Sequence, residues 1–292
     1  MMVTPKEMEQ FVEEYSYFYS SENKFNDMGK ENKDYIDRKH KSLGKYVWLG
    51  VSEKKIEVIA EESVFPIASI NAPCQKITWK HVAWKAGRLK YKENGLFSQT
   101  YEKKIKFRDE CYAWDGMNGN ENEILHIDKY LDKINEERQI ISEELLIEKK
   151  KEDVYEQIKR VYEKILHYQT ITDDCIVKEI GPVYIITLIY FLSKGKFPIY
   201  DKYAHKAAKA LFYNANPKDV YVETSLDKID VDKILTVYSE YCWLLTQLFK
   251  TYSIAREQDQ ALWVYGHSRN KYPVSANANT EKKLFDFDRV ID

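Results

Sequence analysis

Glycine and proline are scarce in this sequence, with ten and seven among 292 residues. A chain so poor in turn-formers is a poor candidate for disorder or for an all-β fold built on many tight turns. Its four cysteines, Cys74, Cys111, Cys175 and Cys242, lie far apart and show no CxxC spacing. That disfavours a zinc site or a dense disulfide framework, so neither a metal nor a cofactor is expected. Charge is nearly balanced, 45 basic against 47 acidic residues. A summed charge near zero steers nothing at long range, so any affinity for a polyanion must come from a local basic face. No run reaches the ~18 apolar residues that a membrane-spanning helix needs. The longest, 183–192 and 242–249, are short and interrupted by Tyr, Thr or Gln. The opening "MMVTPKEMEQFVEEYSYFY" lacks a basic segment followed by an apolar run. No signal peptide is expected, and the reading is a cytoplasmic monomer with reduced thiols and no membrane partner.

What is present is helical periodicity. Met8, Phe11, Val12, Tyr15 and Phe18 fall on one face of a helix over 7–19. The stretch 20–45 reads as loop or short helix, and 46–64 as short strands or a buried helix. The charged stretch 121–150 carries a stripe from Ile124 to Ile134. In 152–168, Val154, Ile158, Val161 and Ile165 form an amphipathic stripe. The segment 183–193 is apolar almost all round, which predicts a buried central helix. Helices are also predicted over 202–213, 230–253 and 256–267, the last stopped by Gly266. The chain reads as mainly α, with room for a few short strands in the N-terminal half. It divides into an N-terminal lobe, 1–150, and a helical domain, 151–292.

Chemistry concentrates in one ordered constellation. "EIGPV" (179–183) joins a short helix to the buried one. The first turn of a helix leaves backbone N–H groups unpaired and carries the positive end of the helix dipole, so Gly181, Pro182 and Val183 form a candidate phosphate site. The buried helix then delivers the chain to "FPIYD" (197–201). Asp201 opens the next helix, among Lys202, Lys206 and Lys209. Asp is a preferred N-cap, so Asp201 reads either as a cap or as a working carboxylate, and the two roles are compatible. The lysines share a helix face and read as phosphate contacts or as a solvated face. His205, one turn on, reads as a proton-handling group or as packing.

This arrangement resembles the helix-hairpin-helix DNA glycosylases, whose pattern is a Gly-containing hairpin, a helix and then a Pro-Val-Asp segment. Here the helix-hairpin-helix would span about 172–193 and the Asp-bearing helix start 197–213. "VAWKAGRL" (82–89) and "DQALWVYGH" (259–267) are similar to recurrent stretches of the bacterial 8-oxoguanine DNA glycosylase-like group. The sequence departs from the pattern in having one clear hairpin glycine and an extra residue, Tyr200, before the acid. Bifunctional members carry a lysine nucleophile just after the hairpin, where this chain has Val183 and Tyr184.

The resemblance implies a two-lobed helical fold and a monofunctional enzyme. Its substrate would be double-stranded DNA carrying an oxidised purine or a modified cytosine, in repair or in defence against modified phage DNA. Asp201 would be catalytic, with Gly181, Pro182, Val183, Lys202, Lys206, Lys85 and Arg88 on DNA. Trp84, Tyr203 and Trp263 would line the pocket for a flipped base; Trp114 and Tyr265 are further candidates. The competing expectation is a DNA-binding module that kept the hairpin and lost catalysis.

Overall fold

The computed structural model describes residues 4–20, 74–85, 89–91, 106–107, 112–114, 121–147, 151–171, 180–268 and 271–272. Within them lie eight α-helices: α1 (Pro5–Ser20), α2 (Trp79–Lys85), α3 (Glu121–Leu146), α4 (Lys151–Ile171), α5 (Pro182–Leu192), α6 (Lys202–Tyr213), α7 (Val231–Phe249) and α8 (Arg256–Gly266). Three short strands, β1 (Leu89–Tyr91), β2 (Lys106–Phe107) and β3 (Tyr112–Trp114), form an antiparallel sheet of order β1-β3-β2. In register, Leu89 faces Trp114 on one side and Lys106 faces it on the other. The fold is mainly helical, with its strands in the N-terminal half. The expected first helix of the hairpin, at 172–179, and the stretches 20–45 and 46–64 lie outside the described residues, save Ser20 at the end of α1.

The chain divides into two compact units, and not at residue 150. One comprises residues 51–195; the other joins residues 1–50 to 196–292. In the first unit, α5 is buried from Ile185 to Leu192 on every face, as its unbroken apolar run requires. It stops in a Schellman turn. The Gly195 N–H donates to the Tyr190 carbonyl at 2.9 Å and the Lys194 N–H to that of Phe191 at 3.1 Å. Lys194 (φ 53°) and Gly195 (φ 81°) both sit in the left-handed region, which penalises a residue with a Cβ. Lys194→Gly is therefore expected to stabilise the protein by about 0.5–1 kcal/mol, read as a raised urea midpoint with unchanged m.

The start of α2 is held by side chains. Asn135 of α3 brackets Ile77, accepting its N–H at 2.9 Å and donating to its carbonyl at 2.6 Å. Thr78 caps α2, and His81, at the third helical position, accepts the Thr78 N–H on Nδ1 at 3.0 Å. This is one half of a capping box, with a histidine where Glu or Gln is usual; the His81 N–H turns to the Thr78 carbonyl at 3.1 Å rather than to its side chain. Nδ1 can accept only when it carries no proton, and burial lowers the His81 pKa from 6.5 to about 4. The unfolded chain therefore binds a proton more readily than the folded one, and stability is lost as pH falls below 6.5. Between pH 7 and 5 the expected loss is about 2 kcal/mol. His81→Gln keeps the acceptor without titrating, so it should remove most of that pH dependence in urea melts.

The second unit is assembled from both ends of the chain. Phe11 and Tyr15 of α1 pack on Tyr265 of α8 and on Tyr272, with ring centroids 5.0–6.3 Å apart. The Tyr272 N–H donates to the Tyr265 hydroxyl at 2.8 Å. Both α7 and α8 pack on α6. Gly266 does sit at the end of α8, but its role is contact. A Cβ there would lie 2.0 Å from the Tyr203 carbonyl oxygen. The helix expected over 230–253 is shorter, because Lys250 takes a left-handed conformation (φ 63°) that ends α7 at Phe249.

Candidate active site

The segment before α6 is anchored at three successive points. Phe197 stacks on Tyr252, with centroids 5.9 Å apart. The Pro198 carbonyl accepts the Tyr238 hydroxyl at 2.8 Å. Tyr200, only 2% exposed, turns inward, and its hydroxyl meets Nδ1 of His205 at 3.3 Å. Its ring packs edge-on against Tyr238 and Tyr241 of α7. Asp201 follows in extended backbone (φ −141°, ψ 136°), where successive side chains point to opposite sides. With Tyr200 committed to the core, Asp201 is left half-buried at the head of α6. Its Oδ1 accepts the Tyr203 N–H at 2.8 Å, so it is a true N-cap, and its carbonyl accepts the His205 N–H.

Beneath Asp201 runs a buried polar chain. His205 is fully buried, and burial outweighs the pull of Glu240 to lower its pKa, which leaves the ring neutral. Its Nε2 lies 3.2 Å from Glu240 of α7, within ion-pair distance but off the axis of a hydrogen bond. Burial raises the Glu240 pKa, but contacts from His205 and from Lys209, at 2.6 Å, outweigh it and keep the carboxyl ionised. Lys209, one of the three lysines expected to face DNA, is thus committed to an internal ion pair. Lys202 is exposed, with Nζ 5.0 Å from the Tyr203 ring centre, and Lys206 is half-buried.

Two of the three expected pocket aromatics do come together. Tyr203 stacks on His267 at 3.7 Å, and Trp263 lies 4.4 Å from the same imidazole. His267 donates its Nδ1–H to the Trp263 carbonyl at 2.7 Å, since a carbonyl can only accept. Trp84 belongs to the other unit, edge-on to Phe191 at 6.3 Å. Tyr265 is fully buried under α1 and is core rather than pocket wall. The Trp114 side chain and Arg88 lie outside what is described, and Lys85 is the half-buried last residue of α2.

The Gly-Pro turn lies in the 51–195 unit. Gly181 caps α5 with no side-chain bond, Pro182 occupies the first helical position, and no acid sits in the first turn. Gly181 has an ordinary φ of −76°, and a Cβ added to it would meet nothing within 4 Å among the described residues. The packing of the described residues therefore does not require glycine here. The Tyr184 and Ile185 N–H groups both turn back to the Gly181 carbonyl. The N–H groups of Gly181 and Val183 are then the donors that the helix does not use.

Helical periodicity over 230–253 turns Tyr241 inward, and nothing in the sequence singles out Glu240. Their importance comes from α6 packing across them. Among the described residues no group of three or more His, Cys, Asp or Glu could hold a metal, and no helix is long and apolar enough to cross a membrane. No protein-family model, curated protein or solved structure matches the chain.

Proposed function

We propose that the protein is a monofunctional DNA glycosylase of helix-hairpin-helix type, acting on duplex DNA that carries a modified base. The observation that carries this reading is the head of α6. There a half-buried carboxylate is immobilised by the Tyr203 N–H, while the residue inserted before it is spent on the core. Three anchors preorganise the Asp201 backbone, and preorganisation is what a charge-stabilising group needs.

In the proposed reaction the base is first extruded from the stack, because its glycosidic bond is inaccessible inside a duplex. The C1′–N bond breaks with its electron pair leaving on the base, and positive charge builds on C1′ and O4′. Asp201 stabilises that charge and accepts a proton from the water whose oxygen adds to C1′. The released base takes up a proton from solvent. Trp263, half-buried beside His267, offers a stacking face for the base. The N-terminus of α5, with no acid in its first turn, suits a phosphate, and exposed Lys202 suits a second. No lysine stands at the position of a Schiff-base nucleophile.

The test is to incubate the protein with duplexes carrying oxidised purines, alkylated bases or modified cytosines, phage genomes included, and to look for alkali-labile strand breaks. Breaks are expected on at least one substrate, and borohydride should trap no covalent adduct. The full use of Asp201 as a cap favours one rival, an inactive DNA-binding module. Salt-sensitive DNA binding with no breaks on any duplex would establish that rival.

A further inference from the structure

One buried residue grips the backbone on both sides of Asp201. The His205 N–H donates to the Asp201 carbonyl at 2.9 Å, the first bond of α6. The His205 ring meets the hydroxyl of Tyr200, the residue just before Asp201, at 3.3 Å. These contacts lie on either side of the Asp201 Cα, so together they fix the two backbone rotations that aim its side chain. In extended chain neighbouring side chains point to opposite sides, so holding Tyr200 inward holds Asp201 outward. The Tyr203 N–H then fixes the carboxylate itself, at 2.8 Å from Oδ1.

The direction of the Tyr200–His205 bond follows from its surroundings. The His205 ring is fully buried and neutral, with Nε2 3.2 Å from one oxygen of ionised Glu240. The other oxygen of Glu240 meets Lys209 at 2.6 Å. A nitrogen lone pair facing that carboxylate would be repelled, so the ring proton sits on Nε2. Nδ1 is then an acceptor, and the Tyr200 hydroxyl is the donor. A buried phenol needs such an acceptor, because leaving its hydroxyl unpaired costs about as much as burying a ring gains. We propose that His205 is a positioning residue that aims Asp201 by holding the inserted Tyr200 in the core. This rests on the glycosylase reading, in which Asp201 must face the sugar cation. Buried as it is, His205 meets neither sugar nor base and acts through its two neighbours.

A pair of substitutions tests this. His205→Phe keeps a ring in the space but removes the acceptor, and Tyr200→Phe removes the hydroxyl that needs it. His205→Phe alone should slow single-turnover excision roughly tenfold with DNA affinity unchanged, the scale of one lost buried bond. Hydrogen exchange at the Tyr203 amide, which reads the Asp201 cap directly, should quicken by a similar factor. Tyr200→Phe should leave both near wild type, and the double variant should recover both, because a phenyl ring stays inward without a partner. A histidine that only packs, or that handles a proton itself, would show no such recovery. Losses that Tyr200→Phe does not reverse would therefore overturn the proposal. So would quickened exchange spread evenly over the core amides, or a His205→Phe variant indistinguishable from wild type. If His205→Phe does not fold, folding of the double variant supports the proposal and its failure to fold overturns it. If wild type excises nothing, the glycosylase reading falls, and exchange at the Tyr203 amide still decides whether His205 aims Asp201.

Discussion

Gly266→Ala should destabilise the protein by on the order of 3 kcal/mol or more, at the upper end of overpacking substitutions. The added methyl would lie 2.0 Å from the Tyr203 carbonyl oxygen, 2.5 Å from its carbon and 2.9 Å from its Cα. All three are backbone atoms, so no rotamer change relieves the clash, and α8 must move off α6. That movement is opposed on both sides. Ala261, Leu262, Val264 and Tyr265 of α8 are fully buried, and Tyr203 is stacked on His267 just beyond the helix. Against a typical total of about 5–15 kcal/mol, such a loss is severe. Urea unfolding of the purified variant measures it, and a change below about 1 kcal/mol would show that the helices do not approach so closely. Any variant that still folds should also have a weakened site, because the Tyr203 N–H holds the Asp201 carboxylate.

Asp201 can be tested in a way that separates its two roles. Asn caps helices about as well as Asp, whereas Ala costs about 1 kcal/mol at this position. Asp201→Asn should therefore leave the melting temperature nearly unchanged, and Asp201→Ala should lower it by a few degrees. For excision the two variants should agree, each losing roughly a thousandfold in the single-turnover rate, because both lack the charge that the proposed reaction sets against the sugar cation. If Asp201 were a cap and nothing more, Asn would retain full activity and only Ala would show a phenotype. Measuring both variants in melts and in excision assays decides between these patterns.

Local structure was legible where local physics determines it. The limits of α6 follow from Asp201 at one end and Asn214 at the other, where a left-handed residue (φ 52°) closes the helix. The burial of α5 follows from an apolar run with no polar face. The length of α7 was less clear, since nothing in the sequence announces that Lys250 will adopt a positive φ. Long-range pairing was not legible at all. The apolar face of α1 says that the helix is buried, but not that its partners are Tyr265 and Tyr272. A division at residue 150 assumes that neighbours in sequence are neighbours in space, and the aromatic cluster breaks that assumption. At the site, the cap could be anticipated; Tyr203 and Trp263 were each candidates, but nothing in the sequence points to His267 between them. The commitment of Lys209 to Glu240 could not be anticipated, because a lysine on a mixed helix face reads the same whether it meets solvent or a half-buried acid.

The two-ended unit sets an order of assembly. Phe11 and Tyr15 emerge from the ribosome early, yet the residues they pack against are Tyr265 and Tyr272. At usual synthesis rates the interval is roughly tens of seconds. The 51–195 unit is complete within the chain before those partners exist and can fold first. During that interval the apolar face of α1, with Met8, Phe11 and Tyr15, lacks the described partners that cover it, Tyr265 and Tyr272. Nascent chains should therefore engage chaperones through their first helix, and release should wait for the arrival of α8.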